Sequence, residues 1–326
     1  MEHFDFTKLT VLFFGSPAFG VPTLDALSSS GARVFCVTMP DRPAGRKHVV
    51  TPPAVKRFAL QRGIPLYQPE KLDEDFLREV RRCKPDIAVV AAYGKIFRKE
   101  LLAIPRLGFV NVHPSLLPKY RGASPIVSTI LAGDTKTGVT IMKLNEGVDT
   151  GPILASSELQ LRGDETTGEL TGVLAQQGAQ LLLQTLPSYI KGTLQSMPQA
   201  EIGASRSPLL KKSDGELHFS GAAEQLERAV RAYTPWPGAW FSISGRRYAV
   251  LQATLEHHQV SQEPGTVVQP SPTTIGVVCG DHRTLLLLAI KPDGGQRPLS
   301  AREFLNGYRG LIGQTCDVVA QTRNTR

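Results

Sequence analysis

Asn111 and His113 lie two residues apart where an apolar run, Leu107 to Val112, gives out into Pro114 and Pro118. In a strand, residues i and i+2 project from the same face, so this amide and imidazole can address one point in space. A carboxylate, Asp149 in Gly147-Val148-Asp149-Thr150-Gly151, follows His113 by 36 residues, enough for a helix and a strand before the chain returns. Together the three groups can polarise a carbonyl, stabilise an oxyanion and move a proton, which is the chemistry of acyl transfer. A lone histidine at a strand end more often bonds the backbone, and an Asp before Thr-Gly often only forms a turn. Three such residues at strand ends of one α/β sheet carry more weight, because ligands gather at the carboxyl ends of such strands.

The surrounding elements must bring the three together. Leu9 to Phe14, Arg33 to Met39, Asp86 to Ala92 and Leu107 to Val112 are continuous β-rich apolar runs. They alternate with helical stretches opening at Pro22 and spanning Lys71 to Arg82, as buried parallel strands of an α/β sheet do. Thr137 to Leu144 and Ile153 to Leu159 read as further strands. Thr166 to Tyr189 reads as a long helix, with Leu170, Val173, Leu174, Ala179, Leu181 and Leu182 as its apolar face. Residues 191–218 lose sustained periodicity and read as a linker or irregular crossover. Beyond them come a helix, Ala222 to Ala232, and short strands: Trp240 to Ile243, Arg247 to Ala253, Thr266 to Gln269, Thr274 to Cys279 and Leu285 to Ile290. That spacing suggests a small barrel. The expected organisation is 1–190, a linker over 191–218, and a second domain over 219–326.

With 326 residues, 41% hydrophobic and 20% charged, the chain has the balance of a soluble globular protein of two domains. The apolar runs are of strand length, so no membrane span is expected, and the N-terminus lacks the pattern of a secretory signal. Cys36, Cys83, Cys279 and Cys316 are widely spaced, which favours reduced thiols in the cytoplasm over a disulfide frame or a metal site. The net charge is +8, and residues after 190 carry half of it on a shorter stretch. That balance permits a polyanionic partner without requiring one.

Other motifs carry less. Gly15 to Gly20 lies between a strand and a helix but lacks the spacing of a nucleotide loop, so a tight turn is favoured. Asp41 to His48 is a basic loop, either merely solvated or in contact with a phosphate backbone. Trp236 and Trp240 are expected to anchor the second domain's core rather than to stack on bases.

Taken together, Asn111-Val-His113-Pro-Ser115-Leu-Leu-Pro118-Lys-Tyr-Arg121-Gly, Gly138-Val-Thr-Ile-Met and Gly147-Val-Asp149-Thr-Gly151 resemble the folate-dependent formyltransferases. Phe14-Gly-Ser-Pro17, Pro40-Asp-Arg42-Pro-Ala-Gly-Arg46 and Pro235-Trp-Pro-Gly238 are similar to the bacterial branch whose acceptor is a methionyl-tRNA. The resemblance runs from about residue 8 to about residue 315. It implies a doubly wound, mostly parallel α/β domain followed by a small OB-like β-barrel that holds tRNA. It implies 10-formyltetrahydrofolate as formyl donor, lying against Ser115, Leu116, Leu117 and Pro118. It implies a catalytic set of Asn111, His113 and Asp149, with Arg42, Arg46 and Lys47 meeting the acceptor stem of the initiator tRNA. No metal is expected. The nearest alternatives are formyltransferases acting on a sugar nucleotide or glycinamide ribonucleotide. A catalytically silent RNA-binding protein is a more distant one, since it has no need of the trio.

Overall fold

The computed structural model describes residues 4–44 and 49–317, so Arg46 and Lys47 lie outside the described residues. Up to residue 208 the strands are β1 (Thr10–Gly15), β2 (Arg33–Val37), β3 (Arg42–Ala44), β4 (Val49–Thr51), β5 (Leu66–Tyr67) and β6 (Ile87–Ala91). They continue with β7 (Phe109–His113), β8 (Arg121–Gly122), β9 (Lys136–Lys143), β10 (Ile153–Gln160) and β11 (Arg206–Ser207). The helices are α1 (Gly20–Ser29), α2 (Ala54–Gln61), α3 (Glu74–Cys83), α4 (Lys99–Leu102), α5 (Pro125–Ala132) and α6 (Thr167–Ile190). Two compact units result. The first takes in the described parts of Met1–Ile126, Thr135–Leu161 and Glu169–Pro208. The second takes in those of Val127–Asp134, Arg162–Gly168 and Leu209–Arg326.

Seven strands of the first unit form one sheet in the order β10-β9-β7-β6-β1-β2-β5. Strands β5, β2, β1, β6 and β7 run parallel, while β9 and β10 are antiparallel additions at one edge. The central strands are apolar along their whole length because side chains on both faces are covered. Phe14 packs edge-on against Phe76, Tyr93 and Phe97, the aromatic centre of one face.

Some element limits differ from the sequence reading. Helix α3 begins at Glu74, not Lys71, because the Asp73 carboxylate caps the Phe76 N–H. On α6 the buried stripe is Leu170, Leu174, Ala175, Gly178, Ala179, Leu182 and Leu186, whereas Val173 is 49% exposed. One step back from Leu174 is a 100° rotation, which carries Val173 off the stripe. The segment expected as a linker contributes β11, paired parallel with β8, and a bridge from Met197 to Ile153.

The second unit contains α7 (Ala223–Ala232), β12 (Ala239–Ile243), β13 (Arg246–Gln259), β14 (Val267–Ser271), β15 (Thr274–Val278), β16 (Arg283–Pro292), β17 (Leu299–Ser300) and α8 (Ala301–Tyr308). Its sheet is antiparallel, in the order β12-β13-β16-β15-β14, with β17 added to β16. Phe219, Phe241, Tyr248 and Phe304 form its buried aromatic core. Trp236 does not anchor that core: it is 50% exposed, and Trp240 lies under the Arg247 guanidinium, 3.8 Å from the ring centre. Helix α8 lies beyond the elements expected from the sequence, although its start carries a readable capping box. Ser300 and Glu303 each bond the other's backbone N–H. Among the described residues, no helix is long and apolar enough to cross a membrane.

Candidate active site

Strand β7 ends at His113 because Pro114 follows. Its last residues pair with β9, Asn111 opposite Met142 and His113 opposite Thr140. Both side chains are buried, Asn111 at 9% and His113 at 4% exposure. After β9 the chain folds back sharply. Asn145 Oδ1 accepts from the Gly147 N–H and the Thr150 hydroxyl, each at 3.0 Å, and the Lys143 N–H donates to the Pro152 carbonyl at 2.9 Å. The Lys143 carbonyl passes so close to Gly151 that a Cβ there would stand 1.7 Å from it. Asp149, in the crest, adopts a left-handed φ of 51°.

This turn brings Asp149 to the end of β7. Asn111 Nδ2 donates to Asp149 Oδ1 at 3.5 Å, the long end of hydrogen bonding. The other carboxylate oxygen accepts from the Gly122 N–H at 2.8 Å and stands 3.7 Å from His113 Nδ1. Thus the three residues singled out from spacing meet in space. The remaining ring nitrogen, His113 Nε2, lies 3.0 Å from the Tyr120 carbonyl. A carbonyl can only accept, so Nε2 carries the proton and Nδ1 is the nitrogen that titrates. Burial pushes the imidazole pKa below its ordinary 6.5, against opposing contributions from Asp149 and the Tyr120 carbonyl. At neutral pH His113 is therefore an uncharged ring with Nδ1 bare.

Residues 120–122 are held in turn by the segment around β11. The Tyr120 N–H donates to Ser205 Oγ and the Arg121 N–H to the Ser205 carbonyl, each at 2.9 Å. Gly122 has φ 115°, and a Cβ on it would meet the Ser207 carbonyl at 2.5 Å, so this crossing requires glycine. The Arg121 side chain is nearly buried and bonds Gln199 and Glu201. Gln199 in turn bonds the carbonyls of Asp149 and Gly151. Gln199, Ser205 and Ser207 escaped the sequence reading because they sit in a Gly/Ser/Pro-rich stretch with no period to mark them.

The expected folate strip lies directly after β7. Ser115 is fully buried and donates to the Lys119 carbonyl at 2.6 Å. Thr140 ties the strip to β9, donating to the Ser115 carbonyl at 2.7 Å and accepting the Leu117 N–H at 3.1 Å. Leu117 points into the core, while Leu116 and Pro118 stay partly exposed. Leu116 and Pro118 thus leave apolar surface accessible just after β7. Arg42 is exposed on β3, which pairs with β4 as a hairpin, and reaches Glu70 at 3.5 Å. Among the described residues, no group of three or more His, Cys, Asp or Glu is arranged to hold a metal ion.

The fold is that of the formyltransferases. The family described as Formyl transferase matches residues 7–186, and its C-terminal domain matches residues 209–309. The methionyl-tRNA formyltransferase of Myxococcus xanthus is 44% identical over 300 residues, 92% of this chain and 95% of the relative. That of Thermus thermophilus is 43% identical over 302 residues, 92% and 96% of the two chains. The chain belongs to the methionyl-tRNA formyltransferase family. Among solved structures, the N-formyltransferase from Helicobacter canadensis in complex with folinic acid and dTDP-3-aminofucose shares the fold. It aligns at a TM-score of 0.64 and 16% identity over 86% of this chain and 98% of that one.

Proposed function

We propose that this protein transfers a formyl group from 10-formyltetrahydrofolate to the α-amino group of methionyl-initiator tRNA, in the cytoplasm, to supply translation initiation. The observation that carries the reading is the convergence of Asn111 and His113 on Asp149 at the carboxyl end of β7. The amine nitrogen attacks the formyl carbon, the bond from that carbon to N10 of the folate breaks, and N10 leaves with a proton. Asn111 donates an amide N–H to the formyl oxygen as negative charge grows there, a contribution of about 3 to 4 kcal/mol to lowering the barrier. His113 Nδ1, uncharged at rest, takes the proton the amine loses. Asp149, 3.7 Å away, stabilises the imidazolium that forms until the proton passes to N10. Leu116 and Pro118 form the apolar rest for the pterin, with Ser115 and Leu117 supporting them from within. Arg42, Arg46 and Lys47 meet the phosphates of the acceptor stem.

Sugar and glycinamide formyltransferases share the site's chemistry, so the trio does not choose the acceptor. The second unit and the relatives above 40% identity favour tRNA. The test incubates the protein with 10-formyltetrahydrofolate and methionyl-initiator tRNA, with methionyl-elongator tRNA and a nucleotide-linked amino sugar as parallel acceptors. Formylmethionine from the initiator is expected. Formylation of the sugar alone, or release of formate with no acylated product, would overturn the reading.

A further inference from the structure

We infer that Gln199 is a positioning residue that holds Asp149 in its reacting place, an inference that rests on Asp149 belonging to the catalytic set. The amide of Gln199 is fully used. Its Nε2 donates to the Asp149 carbonyl at 2.8 Å and to the Gly151 carbonyl at 2.7 Å, while its Oε1 accepts from Arg121 Nε at 3.0 Å. Only a group with two donors and an acceptor at this reach satisfies all three.

The turn needs such a hold. Asp149 sits at φ 51°, a conformation that costs a residue with a Cβ and persists where neighbours enforce it. Asn145 secures the turn at Gly147 and Thr150, and Gln199 secures it at Asp149 and Gly151. Moreover, Gln199 and the carboxylate are gripped by neighbouring residues of one short strand. Arg121 holds Gln199 through its side chain, and Gly122 holds Asp149 Oδ2 through its N–H at 2.8 Å. Backbone and side chain of Asp149 are thereby referenced to β8, whose Tyr120 neighbour also fixes the His113 ring. Gln199 touches none of the reacting groups, so it acts on the rate only through where Asp149 stands.

The experiment is a double-mutant cycle on the full chain, with 10-formyltetrahydrofolate and methionyl-initiator tRNA as substrates. Gln199→Ala is expected to lower kcat by about 10- to 100-fold, the scale of a misplacement near 1 Å, with both KM values within about twofold. In an Asp149→Ala background the same change is expected to leave kcat unaltered. Gln199→Glu keeps the size but turns an oxygen toward two carbonyls. It is expected to reproduce the kcat loss in a chain that circular dichroism shows to be folded at the assay temperature, which guards against an unfolded alanine variant. If Asp149→Ala slows turnover but Gln199→Ala and Gln199→Glu do not, the positioning role is wrong and the site reading stands. Equal kcat losses from Gln199→Ala in both backgrounds overturn the role as well. If Asp149→Ala itself turns over at the native rate, both readings fall together.

Discussion

His113 Nδ1 and Asp149 Oδ2 stand 3.7 Å apart, too far for a hydrogen bond, while the other ring nitrogen holds the Tyr120 carbonyl at 3.0 Å. With the Nε2 proton given to the Tyr120 carbonyl, Nδ1 is the ring nitrogen open to a proton. An imidazole already charged would place an N–H on Nδ1 and draw the carboxylate in. Here the ring is neutral, its proton is committed to Tyr120, and the vacant lone pair faces a carboxylate ready to stabilise whatever proton arrives.

The titration of His113 should therefore lie below 6.5, because burial outweighs the attraction of Asp149. Replacing Asp149 by Asn removes a contribution that raises the pKa, so the midpoint should move still lower, and kcat should fall by about 100-fold or more. NMR of the imidazole signals, assigned by comparison with His113→Gln, reads both midpoints. A native midpoint at or above 6.5, or an upward shift in Asp149→Asn, contradicts the assignment.

The same shift has a stability consequence with a definite sign. A histidine whose folded pKa is depressed takes up protons more readily when unfolded, so stability is full above the unfolded value near 6.5 and declines as pH falls below it. Melting temperatures of the native protein should thus drop between pH 7 and pH 5, and His113→Gln should show a shallower drop over that window. Parallel profiles for the two proteins would mean that His113 gains no charge on unfolding.

Asn111 is assigned to the developing oxyanion, and its removal has a distinct kinetic signature. Asn111→Ala should lower kcat by about 10²- to 10³-fold with little change in either KM, since the donor acts when charge appears and not before. A raised KM at native kcat would instead mark Asn111 as a binding residue.

How much of this site the sequence carried follows from which interactions are local. Asn111 and His113 share a strand face, and period two makes that readable. Asp149 was readable as chemistry, but its meeting with His113 depends on the antiparallel turn after β9, which Lys143 and Gly151 close by near contact. Gln199 and Ser205 were invisible because their partners lie 48 to 85 positions away and their own stretch has no apolar period. The boundary of α3 was missed by three residues for a local reason that was available, the Asp73 cap. Val173 was misplaced because an apolar residue one step off the stripe looks like part of it until the helix phase is fixed.

Arg42 offers a test of the tRNA contact within the described residues. It is exposed and weakly paired to Glu70 at 3.5 Å, so removing it costs little stability. If its guanidinium meets a phosphate, Arg42→Ala should weaken tRNA binding and reduce the slope of log K against log salt by about 1 in magnitude. Binding titrations between low and moderate salt decide it. A lower affinity with an unchanged slope would assign Arg42 to some contact other than phosphate.

The closure of the Asp149 turn gives the last test. A methyl on residue 151 would stand 1.7 Å from the Lys143 carbonyl and 2.9 Å from its carbon, both backbone atoms of β9 that cannot yield as a side chain can. Gly151→Ala must therefore push the turn away from β9 or distort the end of that strand, at a cost of about 1 to 3 kcal/mol. Displacing the turn also lifts Asp149 from the Gly122 N–H and moves it relative to His113. Formyl transfer should then fall by about 100-fold in kcat, on the scale of a 1 Å error in placement. Gly172→Ala is the companion control: it lies on α6, where an added methyl meets no atom within 4 Å outside the helix's own backbone, so turnover should stay native and stability should hold or rise by up to about 1 kcal/mol, alanine being the better helix former. Equal behaviour of the two variants would remove the close Lys143–Gly151 contact from any part in setting the site.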